Sequence, residues 1–433
     1  MNSLSKFLAD YASSDFARFH VPGHMGNCDF INNISPKLDI TEIDGSDSLY
    51  QSNGIISDLE SQISNLFNAQ SVISAGGSTL CIQTMLCLIK NRQIIAMRGS
   101  HISFYNTCAL LGISPNWIEA SLNEFSSTTP TASDVEVALL KESEPAAVYI
   151  TSPNYYGVCA DIAEISKICK KYGALLVVDN AHGSHLNFTL KNMHPISLGA
   201  DICCDSFHKT LPTLTGAAVL HTKPRLFDKE QIKYAMSLFG STSPSYLIMY
   251  SIGLCVDWLE KSGKLAFESL ELQKKELIKK TGVKVLETDC SKITIDCSYV
   301  GKSGNCIAKF LRTNKIEPEY ADERYVVLML SPFLSSDNWC SLGMCLEKLP
   351  QKSNACKNYE HKFTIPKMAM SLQNAYFSES TKVPAKSSLG KICARCEWEC
   401  PPGIPIVVAG EIINDQTIDL LNKNNIDFIY VIK

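Results

Sequence analysis

The chain has no Lys/Arg block, no low-complexity tract, no internal repeat and no apolar run long enough to span a bilayer. Forty basic residues against 44 acidic ones leave a net charge of −4, so no sequence-wide attraction to nucleic acid or anionic membrane is expected. The most apolar late stretch, Tyr246 to Val256, is broken by Ser251 and Gly253 and runs into Asp257. That excludes a transmembrane helix there. At the start, Met1 to Tyr11 spaces Leu4, Phe7, Leu8 and Tyr11 as a short amphipathic helix, without the apolar core of a secretory signal. In such a chain the 18 cysteines are expected to be reduced, mostly buried thiols, and the protein cytoplasmic. There is no Ser-His-Asp hydrolase elbow.

What is present is a globular composition. The chain has 433 residues, 45% hydrophobic and 19% charged, enough for two or three domains that each bury a core. From about residue 50 to 220, short apolar runs alternate with helical patterns. Ser57 and Glu60 have the spacing of a capping box before Leu59, Ile63, Leu66 and Phe67; Asp161 and Glu164 repeat it before Ile162, Ile165, Ile168 and Cys169. Strand-like runs are Gln93–Met97, Ala146–Ile150, Ala174–Val178, Ile202–Cys204 and Ala217–Leu220. Runs apolar on both faces suit a sheet covered on each side by helices, so the expected class is α/β with a mostly parallel sheet.

Beyond Tyr250 the texture changes. Residues 255–280 have the pattern of a long connecting helix, and Val283 to Met329 of strands and a helix in a smaller α+β region. Gln351–Lys357 and Ser378–Ser388 are polar and loop-like, and Lys391 to Lys433 forms a last strand-helix-strand unit. The expected division is an N-terminal arm over residues 1–50, a large domain over 51–260 and a small C-terminal α+β part over 261–433.

Four features of the α/β half carry chemistry. Lys209 in Ser206-Phe207-His208-Lys209 follows a strand-like run; a lysine in a crowded apolar setting can lose enough basicity to attack a carbonyl and form a Schiff base. Asp179 closes the apolar Val177-Val178, where a carboxylate is costly unless a cation meets it. A protonated pyridine nitrogen is such a cation; a helix-capping role is the bland alternative. Ala75-Gly76-Gly77-Ser78-Thr79 runs into the apolar helix Leu80–Ile89, so its glycines, hydroxyls and free N–H groups can hold a phosphate. It is neither a Walker loop nor a GxGxxG fingerprint, and an ordinary loop-to-helix junction has the same look. His101 follows the Gln93–Met97 strand, where its ring could stack on a pyridine. Alone, each feature has an ordinary structural explanation.

Taken in order, phosphate loop, stacking ring, pyridinium Asp and Schiff-base Lys resemble fold-type I pyridoxal phosphate enzymes, the aspartate-aminotransferase fold. Phe19-His20-Val21-Pro22-Gly23-His24, Asp39-Ile40-Thr41-Glu42-Ile43, His208-Lys209-Thr210-Leu211-Pro212, Thr242-Ser243-Pro244-Ser245-Tyr246 and Pro401-Pro402-Gly403-Ile404-Pro405 resemble the Orn/Lys/Arg decarboxylase family, in a short form without an N-terminal wing domain. The resemblance implies pyridoxal 5'-phosphate as cofactor, Lys209 as its covalent anchor and Asp179 at the ring nitrogen. It further implies Gly77, Ser78, Thr79, Ser206 and His208 on the phosphate side, His101 on the ring face and His182 near its polar edge. Thr242 and Ser243 would reach the phosphate of a partner subunit in a homodimer. Lys209 or His208 would return the proton after CO2 is lost. The implied activity is decarboxylation of arginine, lysine or ornithine. Another fold-type I chemistry (aminotransferase or lyase) and a degenerate, non-catalytic member are the alternatives.

Several positions depart from the family pattern. Phe207 stands where a small hydroxyl residue precedes His-Lys, Gly216 replaces a Gln, Ile102 follows the stacking histidine in place of a Lys, and Ala409 replaces a proline before Gly410-Glu411. For the cationic end of the substrate the candidate acids are Asp44, Asp47, Glu319 and Glu411. No metal is expected: Cys393, Cys396 and Cys400 lack a matching second pair, and Pro22-Gly23 prevents a helix from aligning His20 with His24.

Overall fold

The computed structural model describes residues 3–119, 129–350, 364–398 and 403–433. Its centre is a 7-stranded sheet. In chain order the strands are β1 (Gln70–Ser74), β2 (Gln93–Ala96), β3 (Asn116–Trp117), β4 (Ala146–Thr151), β5 (Leu175–Asp179), β6 (Ile202–Asp205) and β7 (Ala218–Thr222). They lie side by side as β1-β7-β6-β5-β4-β2-β3. Every pair from β6 to β3 is parallel, and only β7 runs antiparallel to both of its neighbours. The sheet therefore matches the mostly parallel expectation.

The inner strands are apolar on both faces because each face has its own core. Val148, Ile150 and Val178 point into one cluster, Ala147, Tyr149 and Val177 into the other. Alternation along a strand is what divides them. Ends of the parallel strands, where polar side chains emerge, converge on one edge of the sheet, the usual place for a ligand in such folds.

The helix expected after the first capping box begins earlier than its Ser57, at Ile55, and runs to Phe67. Glu60 does not fold back on Ser57. It is buried, accepts from the Ile73 amide (3.1 Å), and meets the ammonium groups of Lys229 and Lys233 (2.8 and 3.0 Å). The second expected start holds: Asp161 accepts from the Glu164 amide at the head of Ile162–Lys171.

Helix Tyr246–Trp258 continues through a π-turn at Leu259–Gly263 into Lys264–Thr281, the long connection. A 3-stranded antiparallel sheet follows, in the order Tyr320–Ala321, Tyr325–Met329, Lys292–Asp296. The N-terminal strand Ala17–Phe19 pairs in parallel with Ile316–Pro318, so the start of the chain is woven into the C-terminal half. Ser380–Pro384 is a strand paired with Phe428–Ile432, not the loop its polarity suggests. Gln351–Lys357 lies outside the described residues. No helix among the described residues is long and apolar enough to cross a membrane. All 16 described cysteines are free thiols.

Candidate active site

β5 ends on Asp179, and β6 leads through Ser206 into the short helix Phe207–Thr210, which carries Lys209. Because β5 and β6 are parallel neighbours, both side chains are delivered to the same edge of the sheet. They line one cleft with Ser78, Ile82, Gly99, His101, Thr151, Asn154, Tyr155, Ala181, His182 and Ile404.

Asp179 is buried. One carboxylate oxygen accepts from the Ala181 amide (3.1 Å) and the Cys204 thiol (3.7 Å), the other from the Tyr149 hydroxyl (3.4 Å). Burial raises its pKa above the usual carboxylate value against the opposing pull of Lys209. An added cation in the cleft would reverse that balance. Lys209 Nζ lies 3.0 Å from His182 Nε2. Burial, followed by the Lys209 charge, holds His182 neutral, well below the normal imidazole range. Its Nδ1 is buried without a hydrogen bond, a cost unless a ligand supplies the partner.

His101 caps helix Ile102–Leu111 by accepting from the Ser103 amide. Burial, and then Lys209, lowers it to about 4. The other side of its ring is covered by the C-terminal tail. The Ile102 amide donates to the Gly403 carbonyl (2.8 Å), and a Cβ at Gly403 would sit 2.7 Å from His101 Nε2. The glycine of the Pro-Pro-Gly-Ile-Pro stretch thus leaves room for the imidazole, and Ile404 closes the cleft. Pro401 and Pro402 lie outside the described residues.

Gly77 opens helix Gly77–Leu88 with φ +69°, a conformation that favours glycine. Its amide donates to the Gly216 carbonyl (2.8 Å), so the glycine at 216, itself at φ +102°, seats the loop. A Cβ on Gly77 would meet nothing within 4 Å, leaving open space beside the helix N-terminus. Thr79 is exposed there, and Ser206 Oγ donates to Ser78 Oγ (2.8 Å). The first amides of a helix lack internal partners, so an anion is well placed at this end. His208 is set apart from the cleft lining: its Nδ1 is 2.9 Å from the Ala217 carbonyl, and burial lowers it to about 4.

A buried acid, an orphaned imidazole nitrogen, an anion cradle and a lysine around one cleft fit pyridoxal phosphate. Phe207 does not interfere, because it is fully buried and packs on Phe67 with ring centres 5.9 Å apart.

Other candidates fall elsewhere. Asp47, read above as a substrate candidate, is a remote helix cap: its oxygens accept from the amides of Ser48, Asn53, Gly54, Ile56 and Ser57. Glu411, read the same way, is spent on Arg98, with both contacts at 2.9 Å, and on the Val408 amide (2.7 Å). Asp44 is exposed, as are Thr242 and Ser243, and none of the three lines the cleft. Glu319 stands directly behind it, accepting from the Tyr155 hydroxyl (2.5 Å) and the Val21 amide (2.9 Å). His20 and His24 are engaged separately, with Tyr11 and with the Gly26 amide.

Sequence reasoning missed Tyr149, Tyr155 and Lys292. Lys292 is fully buried; its ammonium donates to the carbonyls of Asn154 (3.2 Å) and Tyr155 (3.0 Å), and burial lowers it to about 8. The Tyr-Tyr pair at 155–156 was the one local signal, an aromatic pair just after a fully apolar strand.

Comparison with known proteins agrees with this geometry. The family model described as "Orn/Lys/Arg decarboxylase, major domain" matches residues 2–295. The chain is similar to the arginine decarboxylase of Bacillus subtilis, 27% identical over 452 residues that cover 96% of this chain and 92% of that one. It is also similar to the arginine decarboxylase of Halalkalibacterium halodurans, 26% identical over 96% of this chain and 91% of the relative. The crystal structure of the Francisella novicida lysine decarboxylase superposes with a TM-score of 0.74 at 17% identity, over 99% of this chain and 81% of that one; at that identity the likeness shows the fold. The chain belongs to the Orn/Lys/Arg decarboxylase family, as a pyridoxal phosphate-dependent carboxy-lyase acting on a basic amino acid.

Proposed function

We propose that the substrate is arginine, that Lys209 anchors the cofactor, and that Asp179 meets its ring nitrogen. The observation that carries this reading is that Lys209 and Asp179 line the same cleft. Arginine is favoured because the two relatives above, similar over nearly their whole length, are arginine decarboxylases.

Bound in the cleft, pyridoxal phosphate supplies an electron sink for the pair released when the substrate carboxylate leaves. Asp179, paired with the ring nitrogen, would ionise and keep that nitrogen protonated. His101, neutral and backed by Gly403, would cover one ring face. The amino end of helix Gly77–Leu88, with Ser78, Thr79 and Ser206, would hold the phosphate, and His182 would sit at the ring's polar edge. The proton that replaces CO2 comes from Lys209 Nζ, which lies in the cleft; His208, neutral and bonded to Ala217, is outside its lining. Glu319, one layer behind Tyr155, is the acid best placed for the guanidinium. We further propose a cytoplasmic homodimer in which Thr242, Ser243 and Asp44 reach the partner's site, in keeping with their exposure.

The test is to supply cofactor-loaded protein with arginine, lysine and ornithine while following CO2, amine and keto acid separately. CO2 and amine in equal amounts, fastest from arginine, is the expected outcome. Keto acid without CO2, or preference for lysine or ornithine, would refute the corresponding part.

A further inference from the structure

One wall of the cleft is a turn gripped by a short segment of the smaller, 3-stranded sheet. Four consecutive carbonyls, those of Asn154, Tyr155, Tyr156 and Gly157, each accept a hydrogen bond from residues 289–294. Lys292 Nζ donates to Asn154 (3.2 Å) and Tyr155 (3.0 Å), Thr294 Oγ1 to Tyr156 (2.7 Å), and the Asp289 amide to Gly157 (3.0 Å). Asn154 and Tyr155 line the cleft, and Lys292 and Thr294 are fully buried. Gly157, at φ +88°, makes room for the lysine stem: a Cβ there would lie 2.9 Å from Lys292 Cδ. The gripping segment is itself held. Lys274 donates to the carbonyls of Thr288 (2.9 Å) and Asp289 (2.6 Å), and Thr288 Oγ1 donates to the Lys292 carbonyl (2.8 Å).

The same sheet holds the other end of Tyr155. Val327 is the register partner of Thr294 on one side and of Tyr320 on the other, and its carbonyl accepts from the Glu319 amide (3.0 Å). Glu319 in turn accepts from the Tyr155 hydroxyl (2.5 Å). Between its two anchors the Tyr155 ring meets His182 edge-on, with ring centres 5.1 Å apart. The tyrosine is thus fixed at its carbonyl by Lys292 and at its hydroxyl by Glu319.

We propose that Lys292 and Thr294 are positioning residues for substrate selection, setting the turn so that the Tyr155 hydroxyl orients Glu319 toward the guanidinium end of arginine. This rests on the assignment of Glu319 to that end of the substrate. A carboxylate offers about four acceptor sites. The Tyr155 hydroxyl takes one on Oε1 and the Val21 amide one on Oε2, which leaves each oxygen able to accept one arm of a planar guanidinium fork. A buried ammonium is costly unless its hydrogen bonds are made, and the two carbonyls that Lys292 meets belong to cleft-lining residues. When the turn slackens, Glu319 loses the fixed donor that orients it. Asp179 and Lys209, carried on other elements, keep their places.

The full chain loaded with pyridoxal phosphate is assayed with arginine as Lys292→Met, Thr294→Val, Tyr155→Phe, Glu319→Gln and the Lys292→Met/Tyr155→Phe pair. Lys292→Met and Tyr155→Phe should each raise KM about 10-fold, the scale of one lost hydrogen bond to a charged group, with kcat within about threefold and the cofactor absorbance unchanged. Thr294→Val should shift KM in the same direction. Because Lys292 acts through Tyr155, the pair should be no worse than the weaker-binding single variant. Inhibition by norvaline, which lacks the guanidinium, should be unchanged. A wild-type KM in folded Lys292→Met, independent losses that multiply in the pair, or an equal loss of norvaline binding would overturn the proposal. A wild-type KM in Glu319→Gln would instead remove the assignment of Glu319. If Lys292→Met does not fold, Thr294→Val decides: a raised KM for arginine with unchanged norvaline inhibition supports the grip, and a wild-type KM rejects it.

Discussion

The backbone amide of Gly23 donates to the carbonyl of His208, 2.9 Å away, so the N-terminal Phe-His-Val-Pro-Gly-His stretch rests on the turn that carries Lys209. A Cβ at Gly23 would lie 2.8 Å from the Leu211 oxygen and 2.9 Å from the Thr210 carbonyl carbon. Both are backbone atoms, which cannot swing aside. Two residues upstream the Val21 amide is held by Glu319. One short segment thus spans the distance between the lysine turn and the proposed substrate acid.

Gly23→Ala should therefore push the lysine turn out of place. The expected cost is about 1–3 kcal/mol, the range for overpacking a well-fitted site, with faster loss of cofactor. Urea unfolding and the rate of cofactor release measure it. Wild-type values for both would show that the contact does not position Lys209.

Asp179→Asn removes the charge facing the cleft and keeps the shape. Turnover should fall on the order of 10²–10³-fold, as for loss of one preorganised electrostatic contact. Because Lys209 is untouched, covalent cofactor attachment should survive. Steady-state kinetics beside a cofactor titration separate the two effects, and turnover within a factor of about three of wild type would contradict the role given to Asp179.

Stability should fall with acidification in a window to which the buried histidines His101, His182 and His208 all contribute. The folded value of His101 is about 4, against ~6.5 in an unfolded chain. Between those values the unfolded state binds more protons, so stability rises with pH through the window and is fully present above ~6.5. The loss at the acid end is on the order of 3 kcal/mol for this residue. Urea melts at several pH values on wild type and His101→Phe test it. The phenyl ring keeps the packing, so the variant should show a shallower slope; an unchanged slope would assign the effect elsewhere.

Arg98 and Glu411 form an ion pair with both side chains at 0% exposure. Glu411→Ala strands a buried guanidinium and should cost about 3–5 kcal/mol, whereas Arg98→Met combined with Glu411→Leu should recover most of it. Thermal unfolding of the two variants reads this out. A mild single variant with unchanged substrate preference would contradict the structural role; a changed preference with unchanged stability would return Glu411 to the substrate site.

The legible parts of this chain were those written in adjacent residues. β4, β5 and β6 announce themselves as apolar runs, and Asp179 and Lys209 stand at or just past the ends of β5 and β6. The acids were not legible in the same way. Asp47 caps a helix from outside its own turn, with φ +64°, and Glu411 finds Arg98 across the fold. A carboxylate's partner is chosen by tertiary packing, which spacing along the chain does not encode. Ser57 and Glu60 show the same thing at short range, since the capping-box spacing was present but the buried Lys233 and the half-buried Lys229 took the glutamate. Lys292 had no signal at all, being a lysine inside a strand with its ammonium turned inward to backbone carbonyls.

Which lysine holds the cofactor decides the account most directly. Protein loaded with pyridoxal phosphate is reduced with borohydride, digested and mapped by mass spectrometry. The label should fall on Lys209 and disappear in Lys209→Ala, along with all turnover. Label on Lys292, a buried amine that desolvation lowers to about 8, or turnover surviving in Lys209→Ala, would contradict it.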